Sequence, residues 1–306
     1  MRGGTVTNMV FMVVAVALVA ATLWFGALLT KLSRLGGAAL FTHPRLPDPG
    51  APPDGSGLRA VAYPAADGAL LAAWAADPAG LTKPVILVLA GPGQRRADLA
   101  DLAGAVTAAG YGVFLTCRRP SSLLPAGGEW GEAGLLSDAR AALDHLTAQG
   151  FSGSRLVVLG VSAAAALAVQ MAWERKPAAL VLAAPPTSGA DLLAAHWHLS
   201  FLAGVASNPL AVVKRLRAAP HTCPLLVLHG GFDRVVSPAM GQAVFQAAAH
   251  PKTLGIIPGA GHGDLWERGG IDALLDFLAG PRAKAETLEH AAPKRPPGLP
   301  VPRDRS

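Results

Sequence analysis

The stretch VVLGVSAAAAL, residues 157–167, decides the fold. An apolar, β-branched run reaches Gly160, and Ser162 stands between that run and a block of alanines. A buried strand followed at once by a helix is the repeating unit of a parallel sheet covered by helices. Two interpretations of Ser162 are open at this point. It is either a nucleophile on a sharp strand-to-helix turn or the N-cap residue of an alanine-rich helix.

The same alternation of strand and helix continues on both sides of this stretch. Further buried strands are predicted at PVILVLAG, YGVFLT, AALVLAAP, PLLVLHG and TLGIIPG, and further helices at 96–109, 132–150, 238–249 and 263–279. Two short strands, at 58–63 and 69–75, are predicted to form a hairpin before them. The pattern predicts an α/β fold with a mostly parallel sheet and helices on both of its faces.

An apolar segment precedes the folded part of the chain. Residues 9–29 carry no charge and are long enough to cross a bilayer as a helix. Lys31 and Arg34 follow where a signal peptide would have a small-residue cleavage site, so we expect an uncleaved anchor. Charges on the two sides of the segment balance and assign no orientation. We therefore predict a single-pass protein of a bacterial-type inner membrane.

Composition divides the 306 residues into four segments. We predict a membrane anchor over 1–30, a proline-rich linker over 31–56, one folded domain over 57–280 and a disordered, basic, proline-rich tail over 281–306. The tail holds six Lys and Arg residues and three acids, so its net charge of +3 is half of the net charge of +6 of the whole chain. Since the folded domain is close to neutral, no nucleic-acid partner is expected.

The cysteines and one pair of histidines do not predict a metal site. Cys117 and Cys223 lie beside the ends of different strands without metal-ligand spacing, and both are predicted to be free thiols. His196 and His198 are two residues apart on a helix and lack a third ligand. We interpret them as surface histidines.

Candidate catalytic residues follow three separate predicted strands. Ligands of a parallel α/β sheet bind beyond the carboxyl ends of its strands. Ser162, Asp233 and His262 stand there, in GVSAA, HGGFDRVVSP and PGAGHGDLW. A histidine that takes the serine proton and is oriented by an aspartate would make this serine a nucleophile. The backbone N–H of Ala163, at a helix N-terminus, is a candidate oxyanion-hole donor.

These motifs resemble the α/β-hydrolase superfamily of serine hydrolases, particularly its members with one N-terminal membrane anchor. The similar stretches include GYGVFLTCRRPSS, RLVVLGVSAAAALAVQMA, CPLLVLHGGFDRVVSP and IPGAGHGDLWERGG, and the resemblance spans roughly 84–280. It implies an α/β-hydrolase domain with Ser162 as nucleophile, Asp233 as acid and His262 as base. It also implies hydrolysis of an ester, thioester or amide through an acyl-enzyme, without a cofactor.

Several positions depart from the pattern of that superfamily. Ala164 replaces the last glycine of G-x-S-x-G, and Ala90 and Gly91 stand where a His-Gly pair is usual. Pro92, which has no N–H, occupies the place where the second oxyanion donor is expected. With the loop shifted by one residue, Gly93 or Gln94 could supply the second donor, and Gly93 is the expected one.

Another departure follows the predicted strand YGVFLT, where the chain reads TCRRP instead of an Asp-Tyr-Arg-Gly type of turn. Arg118 and Arg119 in this loop could face an anionic substrate or be solvated. We predict that both are solvated.

The expected function is that of a membrane-anchored serine hydrolase, similar to carboxylesterases, lipases and thioesterases. The apolar and aromatic stretch AHWHLSFLAGV, together with the anchor, suggests a hydrophobic acyl substrate near the bilayer. The alternative is a catalytically impaired hydrolase fold that acts as a membrane-tethered binding or scaffold module. A dinucleotide-binding oxidoreductase is disfavoured because Arg96 stands at the third glycine position of LVLAGPGQRR.

Overall fold

The structure is a computed structural model of the whole chain. It describes residues 50–91, 99–116, 119, 123, 131–197, 210–219, 221–280 and 287–289, and most residues between 12 and 27. No helix in these ranges is both long enough and apolar enough to cross a membrane. The linker before residue 50, Pro92, Gly93, Cys117, Arg118, His198 and most of the tail lie outside the described residues.

One sheet of nine strands forms the centre of the described part of the chain. Its strand order is β1-β2-β4-β3-β5-β6-β7-β8-β9. The strands β1 and β2 are antiparallel, as are β2 and β4, and every other neighbouring pair is parallel. The strands are β1 Arg59–Pro64, β2 Leu70–Ala76, β3 Val85–Leu89, β4 Gly112–Thr116, β5 Leu156–Val161, β6 Ala179–Ala183, β7 Leu225–Gly230, β8 Lys252–Ile257 and β9 Thr287–Glu289.

Helices cover both faces of this sheet. Those in the described ranges are α1 Ala100–Ala108, α2 Glu132–Ala148, α3 Ala165–Arg175, α4 Gly189–Trp197, α5 Val212–Ala218, α6 Pro238–Ala247 and α7 Ile271–Ala279. The predicted α/β architecture with a mostly parallel sheet is confirmed. The strand β9 lies within the segment 281–306, and its three residues pair with β8.

The apolar core has two layers, one on each face of the sheet. Along β3, Leu87 packs into one layer and Ile86 and Val88 pack into the other. Alternate residues of a strand point to opposite faces, so a strand buried on both faces must be apolar throughout. This explains why the central strands read as unbroken apolar runs rather than as alternating patterns.

Gly160 lets α3 pack directly against β5. A Cβ atom at this position would lie 2.6 Å from the Cβ of Ala168 and 2.7 Å from the carbonyl oxygen of Ala164. Ala164 is buried and lines a cavity, and the turn accommodates its side chain. We call the turn from β5 into α3, residues 160–164, the elbow. The close approach of α3 to β5 in the elbow depends on Gly160, and Ala164, at the last position of G-x-S-x-G, does not prevent it.

We predict that Gly160→Ala lowers the free energy of unfolding by about 2–3 kcal/mol, because the added methyl group has no space between β5 and α3. Gly104→Ala is the matched control, since a Cβ atom at residue 104 of α1 would meet nothing within 4 Å. That control should gain up to about 1 kcal/mol from helix propensity. Urea denaturation of both variants measures the difference, and equal stabilities would contradict the packing assigned to Gly160.

Candidate active site

Ser162 occupies a strained turn between β5 and α3. The strand ends at Val161, a 3₁₀ turn covers Ser162–Ala164, and α3 begins at Ala165. Ser162 has a φ of 54°, a left-handed conformation that costs a non-glycine residue about 1 kcal/mol or more. No side-chain hydrogen bond caps the 3₁₀ turn or α3. The N-cap interpretation of Ser162 is therefore wrong.

Asp233 and His262 form a hydrogen-bonded pair at the same edge of the sheet. The Oδ2 atom of Asp233 accepts a hydrogen bond from Nδ1 of His262 at 2.7 Å. Its Oδ1 atom accepts two more, each at 2.8 Å, from the backbone N–H groups of Val235 and Val236. A carboxylate only accepts, so Nδ1 of His262 carries the proton of this hydrogen bond.

The carboxyl group of Asp233 is buried yet remains ionised. Burial alone would raise its pKa, but the hydrogen bonds from His262 and from two backbone N–H groups outweigh burial and hold the pKa below its usual value. The ionised carboxylate of Asp233 holds the imidazole of His262 in place through the hydrogen bond from Nδ1.

The loops that carry Asp233 and His262 are bound to each other. The backbone N–H of Phe232 donates to the carbonyl oxygen of Ala260 at 2.8 Å. A Cβ atom at Gly230 would lie 2.5 Å from that same oxygen, so only glycine allows the two loops to approach this closely. The two side chains keep their relative position because their loops share this contact.

His229 is a buried residue of this region whose contacts the sequence did not predict. Its Nε2 atom donates to the carbonyl oxygen of Val236 at 2.9 Å and lies 3.5 Å from Oδ2 of Asp233. Its Nδ1 atom lies against Gly241, where a Cβ atom would come within 2.2 Å. Burial lowers the pKa of His229, so the ring stays neutral and supports the loop through a hydrogen bond. The feature of the sequence that could have identified His229 is its place at the end of β7, four residues before Asp233.

Ser162 and His262 are not hydrogen-bonded to each other in the described part of the chain, where the bond of His262 goes to Asp233. Catalytic hydrogen bonds are often longer without substrate and tighten when it binds. Ala163 is buried in the 3₁₀ turn directly after Ser162. The other predicted oxyanion donor, Gly93, lies outside the described residues.

Arg119 is buried, so the prediction that it is solvated is wrong. Its side chain is 1% exposed and lies between two carboxylates. Its Nη1 atom donates to Asp67 in the turn between β1 and β2, and its Nη2 atom donates to Asp138 on α2, both at 2.6 Å. The two acids, 52 and 19 residues away in the chain, give this arginine the partners that water would otherwise provide.

Asp67 and Asp138 respond differently to the shared arginine. Burial raises the pKa of Asp138, although the hydrogen bond from Arg119 acts in the opposite direction. The hydrogen bond from Arg119 lowers the pKa of Asp67, which is more exposed. Asp138 is therefore the carboxylate that depends most on the arginine.

A cavity of about 40 Å³ adjoins the turn at Ser162. Its wall includes residues from the elbow, the end of β3, α2 and the connection before α5: Ala163, Ala164, Ala90, Leu135, Asp138 and Leu210. The cavity wall thus includes Ala163, the residue whose N–H is the candidate oxyanion donor.

The remaining predicted residues lie away from these contacts or outside the described side chains. Cys223 is a free, buried thiol, as predicted, and burial raises its pKa to about 11. His196 belongs to α4, but its side chain is outside the described part of the structure. Among the described residues, no group of His, Cys, Asp and Glu side chains is arranged to hold a metal ion.

The strand order and the loops at the carboxyl edge define an α/β-hydrolase fold. The esterase PF2001 of Pyrococcus furiosus has a similar structure, with a TM-score of 0.60 and 18% identity over 77% of this chain and 96% of that chain. The esterase domain of a Rhodothermus marinus protein is also similar, with a TM-score of 0.54 and 20% identity over 73% of this chain and 96% of that chain. A bromoperoxidase of Bacillus anthracis has a TM-score of 0.54 and 17% identity over 72% of this chain and 100% of that chain. The predicted α/β-hydrolase fold, with its mostly parallel sheet, is confirmed.

Sequence comparison relates the chain to two mycobacterial proteins. No protein-family model matches it. The uncharacterised proteins Rv2307c and MT2364, from two strains of Mycobacterium tuberculosis, are each 36% identical to it over 225 residues, which is 72% of this chain and 79% of theirs. The chain belongs to the family of these two proteins.

We predict that Arg119→Met lowers the free energy of unfolding by about 3–5 kcal/mol at pH 7, because Asp138 is left buried without its cation. The loss should be smaller at pH 5, since an unpaired buried carboxyl has a raised pKa and protonates more readily. Urea denaturation at both pH values measures this.

Arg140→Met is the matched control for this ion pair. Arg140 is 42% exposed and binds Glu174 on the surface, so its loss should cost at most about 1 kcal/mol at either pH. If the two arginine variants are equally stable, the buried cluster around Arg119 does not contribute as described.

Proposed function

We propose that this protein is a serine hydrolase that cleaves an ester, thioester or amide through an acyl-enzyme on Ser162. One observation carries the proposal. Ser162, held at a φ of 54° without a capping role, lies at the same sheet edge as the hydrogen-bonded Asp233 and His262. Strained, non-glycine backbone of this kind is concentrated at functional sites.

In the proposed reaction, substrate binding brings Oγ of Ser162 within hydrogen-bond distance of Nε2 of His262. The imidazole takes the serine proton while Oγ attacks the carbonyl carbon, and Asp233 stabilises the imidazolium that forms. His262 then gives this proton to the leaving alcohol, thiol or amine, which departs as the acyl-enzyme forms. A water molecule attacks the acyl-enzyme in the same manner, releasing the acid and restoring Ser162.

The negative oxygen of the tetrahedral intermediate needs hydrogen-bond donors. We propose the backbone N–H of Ala163, which belongs to the turn at the N-terminus of α3, as one donor. We propose that the loop after β3 supplies the second through Gly93, because Pro92 has no N–H. Loss of one such donor typically lowers the rate by about 10²–10³-fold.

Several similar proteins support a hydrolase. Two of the similar solved structures are described as esterases, from Pyrococcus furiosus and Rhodothermus marinus. A bromoperoxidase shares the fold as well, so the fold alone does not select the reaction. The proposal therefore rests on the contacts of Asp233 and His262 and on the conformation of Ser162.

We expect a fluorophosphonate probe to label the wild-type chain and to leave Ser162→Ala unlabelled. Hydrolysis of p-nitrophenyl butyrate should fall by about 10³-fold or more in Ser162→Ala and in His262→Ala, because both side chains act on the same proton. Ser152→Ala is the matched control, since Ser152 also follows G-x but lies before β5, and its labelling should equal that of wild type.

A folded, unlabelled wild-type chain without esterase activity would contradict the proposal. That result would favour the alternative of a catalytically impaired fold that acts as a membrane-tethered binding or scaffold module. Circular dichroism on the same samples establishes that each variant is folded.

We further propose that residues 9–29 anchor the chain in a bacterial-type inner membrane, with the folded domain beside it. The support is the charge-free apolar segment, which is long enough to cross the hydrocarbon core. The full chain, expressed in bacteria, should stay with the membranes after carbonate extraction. The variant Leu18→Arg, Leu23→Arg should be released, and equal retention of both forms would contradict the anchor.

A further inference from the structure

The cavity beside Ser162 is a candidate binding site for the acyl group of a substrate. Ala163, the candidate oxyanion donor, and Ala164 form part of its wall, and Ala90 at the end of β3 forms another part. A substrate carbonyl oxygen bound at the N–H of Ala163 would place the neighbouring carbons beside this part of the wall. The size and charge of the cavity would then determine which acyl groups react.

The cavity is small and mostly apolar. Its volume of about 40 Å³ is room for roughly three water-sized groups. Leu135 and Ala139 of α2 and Leu167 of α3 line it together with Leu210. Methyl and methylene groups of a short chain match this lining, whereas a long chain would need the wall to move.

Leu210 is a wall residue held in a strained conformation. It is 1% exposed and has a φ of 54°, a left-handed backbone that leucine rarely adopts. Its N–H donates to Oε1 of Glu132 at 3.0 Å, and the same oxygen accepts a hydrogen bond from Nη2 of Arg215 at 2.6 Å. Arg215 also donates to the carbonyl oxygen of Ala166 in α3 at 2.7 Å. These contacts tie Leu210 to α2, α3 and α5.

Asp138 gives the cavity one ionic wall. Its carboxylate binds Arg119, which is shared with Asp67, so the cluster of three carries a net negative charge. An acyl group with its own carboxylate would be repelled there, and it would lose hydration on entry without gaining a cation. The wall therefore disfavours anionic acyl groups.

We propose that this cavity is the acyl pocket and that it admits short, uncharged acyl chains of about two to four carbons, with Leu210 as the wall that limits their length. This inference rests on the proposed hydrolase activity at Ser162. It assigns to Leu210 a role in specificity and to Asp138 a role in excluding anionic substrates.

The test compares p-nitrophenyl acetate, butyrate, octanoate and hemisuccinate with the full-length wild type and two variants. Wild type should favour butyrate over octanoate by about tenfold or more in kcat/KM and should show little turnover of the hemisuccinate. Leu210→Gly, which removes the wall and suits a positive φ, should raise the octanoate-to-butyrate ratio about tenfold. Leu216→Ala, at a buried residue of α5 outside the cavity wall, should leave this ratio unchanged.

A second variant tests the inference in the opposite direction, should Leu210→Gly fail to fold. Ala139→Val narrows the cavity and should lower the butyrate-to-acetate ratio about tenfold. A wild-type preference for octanoate, or unchanged ratios in both cavity variants, would overturn the assignment of the pocket while leaving the hydrolase proposal intact. The absence of both probe labelling and ester turnover would instead overturn the proposed function.

Discussion

The close approach of α3 to β5 at Gly160 is the constraint on which the site depends. With no side chain at residue 160, α3 starts within contact of the strand, and the chain must reverse direction in the three residues Ser162–Ala164. That reversal places Ser162 at a positive φ, where a residue with a Cβ atom is strained. The parallel sheet then brings Asp233 and His262 to the same edge, because all three follow strands that run in one direction.

Features that depend on short stretches of sequence could be predicted. Strands buried on both faces read as apolar runs, and glycine, serine, aspartate and histidine directly after those runs mark the loops of the carboxyl edge. The fold and the pairing of Asp233 with His262 follow from this local information. The alternative interpretation of Ser162 as an N-cap could be removed only by the structure, because both interpretations share the same sequence.

Features that depend on contacts between distant residues could not be predicted. Arg119 lies in a polar loop, and nothing near it in the chain indicates that Asp67 and Asp138 meet it. Leu210 is likewise an ordinary leucine until its bond to Glu132, 78 residues away, is seen. Ala164 departs from the glycine usual at this position, and only the structure shows that it lines a cavity while Gly160 provides the space for close packing.

The central claim is that this elbow makes Ser162 the nucleophile, and mass spectrometry of the reacting protein tests it most directly. The full-length chain is quenched in acid during turnover of p-nitrophenyl butyrate, digested and sequenced by peptide fragmentation. We predict a butyryl group on Ser162 and on no other residue, and none in Ser162→Ala. A butyryl group on another side chain, or turnover without any acylated peptide, would contradict it.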